Sequence, residues 1–273
     1  TCAGTGLTCD DGNLCNGQET CDPQTGQCLS GAPNGPPFLF CSEARLNNRA
    51  TINADLGVNA PDGTLKIARD GFAADGTTIT VNDLTLANNA SVDHVKVNSY
   101  FTARGATIRG TNTIPVLPIV TPCCPIPAAS CGGPNVAVPK NEDHPPLVAG
   151  GPSGDLSLMN NATITLMPGT YTFCNIQIAK NATVTTMGAV TVDVTGDFRL
   201  GNLSVFAPKL GNPLPTLNVA GTSFRLGANA ALTAITRAPN AAGHFGRSAN
   251  VNGTMCLDSA VTDKGLTLDC PHP

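Results

Sequence analysis

The chain has 273 residues and a net charge of −4, with 12% charged residues, 4% aromatic residues and no Trp. There is no Lys/Arg cluster of the kind a nucleic-acid partner requires, and no apolar run approaches the roughly 18 residues of a membrane helix. Gly (29), Pro (22) and abundant Thr and Asn disfavour helices and suit short strands joined by tight turns; the 41% hydrophobic residues suffice for a core.

Residues 1–41 carry six cysteines: Cys2, Cys9, Cys15, Cys21, Cys28 and Cys41. So small a segment buries little core and is expected to be held by disulfides. Its stretch CDDGNLCNGQETCDPQTGQC, residues 9–28, gathers Asp10, Asp11, Asn13, Asn16, Glu19 and Asp22. Calcium takes six to eight such oxygens, and the glycines let the chain wrap tightly around an ion. Asp11 and Asn13 match the first two ligands of an EF-type loop, but Cys15 breaks the third position. Calcium is therefore the expected cofactor, a stapled acidic turn without an ion is the alternative, and zinc is disfavoured because exported thiols oxidise. Twelve cysteines in all, an even number, point to an oxidising compartment. The chain opens on Thr1, the expected result of signal-peptide removal from an extracellular or cell-surface protein.

A linker-like GAPNGPP at 31–37 leads to an apolar plug, Phe38-Leu39-Phe40. From residue 45 apolar and small polar residues alternate, as in TTITVNDLTL and VTVDVTGDFRL, which predicts strands with period two. Ala-[Thr/Ser]-[Ile/Val] recurs at 50–52, 90–92, 106–108, 162–164 and 182–184, and a turn Asn recurs at 161, 181, 202, 229 and 252. Units near 20 residues cannot bury their own apolar faces and must stack. The expected fold is all-β, a parallel β-helix over 45–273; the rival, a β-sandwich, predicts no fixed step. Between 113 and 155 ten prolines and Cys123, Cys124 and Cys131 interrupt the pattern, which reads as a long loop insertion. Cys123 and Cys124 are expected to bond outward, and Cys174, Cys256 and Cys270 make the second half's count even.

The runs LMPGTYTFCNIQIAKNATVTTMGAVTVDVTGDFRL, TLNVAG and AITRAPNAAGHFGRSANVNGTMCLDS resemble right-handed β-helix domains of exported bacterial surface proteins. The DDGNxCNGxExC string is similar to short cysteine-rich repeats of secreted bacterial proteins. Neither resemblance implies a catalytic residue.

Catalytic candidates are sparse. His144 beside Glu142 and Asp143, and His244 near Arg247, read as polar loop and turn residues. Asp193 and Asp197, four apart, are placed by alternation on one face, the couple a paired-carboxylate hydrolase would need; a solvated strand edge is the plainer reading. The sequons at Asn89, Asn161, Asn181, Asn202 and Asn252 mostly coincide with the repeat's turn. The expectation is a non-enzymatic structural protein. Its cysteine-rich connector and the Phe38-Leu39-Phe40 plug would cap the open last coil of a second copy, building a head-to-tail filament. A monomeric glycan-binding adhesin is the alternative, and a polysaccharide lyase or hydrolase comes third.

Overall fold

The computed structural model describes residues 20–21, 28–29, 36–113 and 126–270. Asp10, Asp11, Asn13, Asn16, Glu19 and Asp22 lie outside those residues, as do Cys2, Cys9, Cys15, Cys123 and Cys124. In the first region Thr20–Cys21 pairs antiparallel with Cys28–Leu29, placing Cys21 opposite Cys28. Every other strand pairing among the described residues is parallel, and together these strands form one β-solenoid of about 11 turns with no helix.

Each coil has three sides, and each side is an unbroken ladder. On the second side Thr163, Thr183, Val205, Ala231, Asn250 and Thr267 stand in register. The ladder continues through Thr51, Phe72, Ser91 and Thr107. The corner before this side fixes the repeat. Asn141, Asn161, Asn181, Leu203, Asn229, Ser248, Gly265, Arg49, Asp70, Asn89 and Gly105 all take positive φ there, between 53° and 81°. Asn tolerates that left-handed turn better than most residues, so it recurs. At Asn161, Asn181 and Asn89 the residue after the turn is a buried Ala, the next is half-exposed, and the third is buried. The Ala-[Thr/Ser]-[Ile/Val] motif is this corner, and Ile52, Val92, Ile164 and Val184 are at most 2% exposed. Two turn assignments shift: Leu203, not Asn202, takes the left-handed position, and Asn252 lies in the strand Asn250–Thr262 while Ser248 makes the turn.

The stacking order departs from the chain order. Residues 136–269 form the lower coils, and the strand Phe38–Leu46 then stacks on Asn250–Thr262. Met255, Cys256 and Leu257 pair with Phe38, Leu39 and Phe40; Val261 pairs with Arg45; Leu268 pairs with Ile52. The path of the solenoid therefore passes from near Cys270 to Phe38, from a late part of the chain to an early one, in mid-coil. We call this junction the seam. The plug assigned to a contact between copies is instead spent within the chain, with Phe38 and Phe40 fully buried. The last C-terminal coil is covered by the chain's own residues 38–52. The solenoid also begins at Phe38 rather than 45.

The segment read as a 113–155 insertion is corrected as well. Val136–Val138 pairs with Leu156–Leu158, and Asp143, Leu147 and Pro152 bridge to Thr163, Leu166 and Thr172. Residues 136–152 are thus the bottom coil of the stack. Prolines at 139, 145, 146 and 152 suit an end coil, where one edge has no ladder to donate to. A Cys131–Cys174 disulfide ties the approach to this coil onto the next; Cys41, Cys256 and Cys270 are disulfide-bonded too. At the opposite end lie His94–Thr102 and Asn112–Thr113, where Tyr100 and Phe101 become 48% and 63% exposed.

The core is a set of apolar columns, one residue per coil. Phe198 and Phe224 occupy adjacent rungs and stack at 5.0 Å, with Phe245 tilted above at 6.4 Å. Parallel strands bury both ladder neighbours of every residue, so like packs on like along the axis.

Candidate functional site: a basic trough

In-register stacking also aligns the outward side chains. On the first side the outward column reads Ala137, Ser157, Gln177, Arg199, Arg225 and His244. It continues across the seam as Val261, Arg45, Lys66, Thr85 and Phe101. Rungs are about 4.8 Å apart, so the Arg199 and Arg225 guanidinium groups leave the sheet side by side.

Beside them the coil turns its corner through Ala179, Gly201, Gly227 and Gly246. The glycines are required by close approach: a β-carbon on Gly227 would lie 2.5 Å from the Asn202 nitrogen, and one on Gly246 2.6 Å from the Ala228 nitrogen. Their bare backbone leaves a floor without side chains. Lys180 and Arg247 line the same open trough as Arg199, Arg225 and His244, about 680 Å³ in volume and crossing successive coils. Its lining holds four permanent cations and one carboxylate, Asp263, on a chain whose net charge is −4.

None of the four forms an ion pair among the described residues. Among the described residues the ion pairs are Arg45–Glu43, Arg69–Asp70, His94–Asp93 and Arg109–Asp75. Arg225 Nε donates to the Ser223 hydroxyl at 3.2 Å. Two further acids, Asp155 and Asp197, line an adjoining depression together with Arg199 and Arg225, and both are tied into the corner. Asp155 Oδ1 accepts from the Asn175 amide nitrogen at 3.1 Å, and Asp197 Oδ1 from that of Ser223 at 3.0 Å, as rungs of a corner ladder that includes Asn135 and Asn175.

That ladder also separates Asp193 from Asp197. Asp193 lies in the strand Val190–Val194 and accepts from Asn218 at 2.8 Å, whereas Asp197 follows the turn at Thr195-Gly196 and caps the next side. The two carboxylates do not share a face. His144 Nδ1 sits 2.6 Å from the Pro145 carbonyl. His94 lies against Asp93 and Thr111, an arrangement that superficially suggests a nucleophile and base. However, its Nδ1 accepts the Thr111 backbone N–H at 3.0 Å, so it serves as a corner cap. Among the described residues no cluster of three or more His, Cys, Asp or Glu is placed to hold a metal.

His244 belongs to the trough rather than to an isolated turn. Arg199, Arg225, Lys180 and Arg247 escaped the sequence reading because they lie on separate repeats. The signal was present in the tetrapeptide FRLG, which occurs at 198–201 and again at 224–227.

The fold and trough define a parallel β-solenoid with a cationic channel along one edge. No protein-family profile, curated protein or solved structure matches the chain.

Proposed function

We propose that the chain is an exported, non-catalytic shaft that holds an extended acidic polysaccharide in the basic trough. The observation carrying this reading is the register of Arg199 on Arg225. Like charges directly opposite one another on a sheet are destabilising, and neither guanidinium forms an ion pair among the described residues. A ligand bearing carboxylate or sulfate groups at regular intervals relieves that repulsion, and guanidinium groups match such oxyanions two bonds at a time. Binding through charge also suits the composition, since the stacking platforms that grip neutral sugars need aromatic rings. Phe72, Tyr100 and Phe101, the exposed aromatic residues among those described, lie outside the trough. The same lack of rings disfavours single-stranded nucleic acid, which stacks its bases. The disulfides support an oxidising, extracellular setting.

Self-assembly into a filament, the leading expectation from sequence, loses the contact it rested on, because Phe38 and Phe40 are buried against the chain's own C-terminal coil. Calcium in the 9–28 stretch remains a proposal resting on its acidic spacing alone. The test of the trough is binding of polygalacturonate, with dextran and single-stranded DNA as comparison arms. Retention of the acidic glycan, lost in the Arg199→Ala/Arg225→Ala variant, supports the reading. Equal binding of variant and parent, or preference for DNA, overturns it.

A further inference from the structure

The trough is the lower part of a longer feature. Each left-handed corner residue from Asn141 to Asn89 donates its backbone N–H one coil up, to the carbonyl of the residue that precedes the next corner. Asn161 donates to Lys180, Asn229 to Arg247, Ser248 to Lys264, Arg49 to Arg69 and Asn89 to Arg104. The pre-corner residues therefore stand in a single file along the shaft. That file carries Lys140, Lys180, Arg247, Lys264, Arg69 and Arg104, with only Asn or Ala between them. From Lys140 to Arg104 it climbs ten steps of about 4.8 Å, roughly 48 Å. The seam does not interrupt it, because Gly265 donates to Asn48 in the same way.

The outward column of the first side runs beside this file and adds Arg199, Arg225, Arg45 and Lys66. Together the two files hold ten of the chain's 15 Lys and Arg residues, all of them exposed, and none of its 19 Asp and Glu. Two of the ten have acidic neighbours: Arg45 lies 3.3 Å from Glu43, and Arg69 lies 3.4 Å from Asp70. Both are surface pairs, which contribute little and give way to a better ligand. An acidic chain that segregates its cations in this way holds one edge at positive potential from end to end.

Resting on the reading of the trough as an acidic-glycan site, we infer that this site is a rail along the whole shaft and that its ligand is a long polyuronate. Lys66, Arg69 and Arg104, on coils above the trough, bind the same ligand as Arg199 and Arg225. A pyranose unit is of the same order of length as one rung, so an extended uronate chain presents carboxylates to successive cations of both files. A short fragment meets only the trough, where Lys180 and Arg247 stand three rungs apart, about 14 Å. A chain long enough to follow the rail engages the remaining cations as intramolecular contacts, so each further contact multiplies its affinity. Length thus selects the ligand: the polymer is held and its fragments are released.

The test titrates size-fractionated oligogalacturonides, from trimers to the intact polymer, onto the full chain and two variants. Lys66→Ala/Arg104→Ala removes cations above the trough, and Arg199→Ala/Arg225→Ala removes cations within it. All four side chains are exposed, and matching melting curves check that each variant folds. The parent should gain more than about a hundredfold in affinity from trimer to polymer, steeper than in proportion to length. The upper variant should keep the parent's affinity for trimers and lose about tenfold or more for the polymer. If the upper variant matches the parent at every length while Arg199→Ala/Arg225→Ala still loses the trimers, the site ends with the trough and the rail is wrong. If the parent binds no fraction, the reading of the trough fails and the rail falls with it.

Discussion

Leu257 and Phe40 stand opposite each other on adjacent rungs, both fully buried, although they come from opposite parts of the chain. The contact closes the seam, so its loss should weaken the whole shaft. Phe40→Ala should cost about 3–5 kcal/mol by transfer and cavity terms. Leu210→Ala, at a fully exposed position, should stay within about 0.5 kcal/mol. Urea denaturation of both variants measures the difference.

Leu203 holds the left-handed corner at φ 59° and leaves its side chain 48% exposed. Equivalent corners are held by Asn at 161, 181 and 229. Non-glycine residues without a short polar side chain lose about 1–2 kcal/mol there. Leu203→Asn should therefore stabilise the protein by about 1 kcal/mol, read as a higher denaturation midpoint with unchanged slope.

The Cys131–Cys174 bridge spans 43 residues. On chain-entropy grounds its removal should cost roughly 4 kcal/mol. In a Cys131→Ser/Cys174→Ser variant, amide exchange should accelerate first in Val136–Val138, at the end of the stack. Uniform acceleration along the shaft would contradict that placement.

Tyr171 donates its hydroxyl proton between the Leu147 carbonyl at 2.6 Å and the Met167 carbonyl at 2.8 Å. Burial raises its pKa above the usual 10.0. The neutral form is the folded one, so its contribution is complete below pH 10 and is lost as pH rises through the elevated value. Tyr171→Phe should be less stable by about 1 kcal/mol at pH 7. The gap between parent and variant should narrow above pH 10 in a series of melts.

Arg199→Ala and Arg225→Ala should each weaken polygalacturonate binding about ten- to a hundredfold, the worth of one charge-assisted hydrogen-bonded contact. Added salt should shrink the effect. Thermal stability should hold or rise slightly, because the substitution removes a like-charge neighbour. A drop in binding that merely follows a drop in stability would deny the trough a direct role.

The solenoid was legible in the sequence because its cause is local. A left-handed Asn, a buried Ala, an outward Thr and a buried Ile form one corner, and the corner recurs. The order of the coils was not legible, because pairing 38–46 with 250–262 leaves no mark on either strand: both simply alternate. The prolines between 113 and 155 were visible but ambiguous. Six fall in the stretch joining opposite ends, and four fall in an end coil whose irregularity hid its strands. The trough was invisible for a further reason. Arg199, Arg225 and Arg247 are more than twenty residues apart, and only stacking makes neighbours of them.

The seam imposes an order on synthesis. As the chain leaves the ribosome, Phe38–Leu46 finds its upper neighbours Leu56–Val58 and Thr64–Ile67 almost at once. Its lower neighbours at 255–261 are made more than two hundred residues later. At about 5–20 residues per second, that is a wait of roughly ten to forty seconds. Throughout it, the upper body presents an unpaired strand edge with Phe38 and Phe40 behind it, the kind of surface that recruits stray strands. A chain built this way depends on being shielded, or kept unfolded, until its final coil arrives.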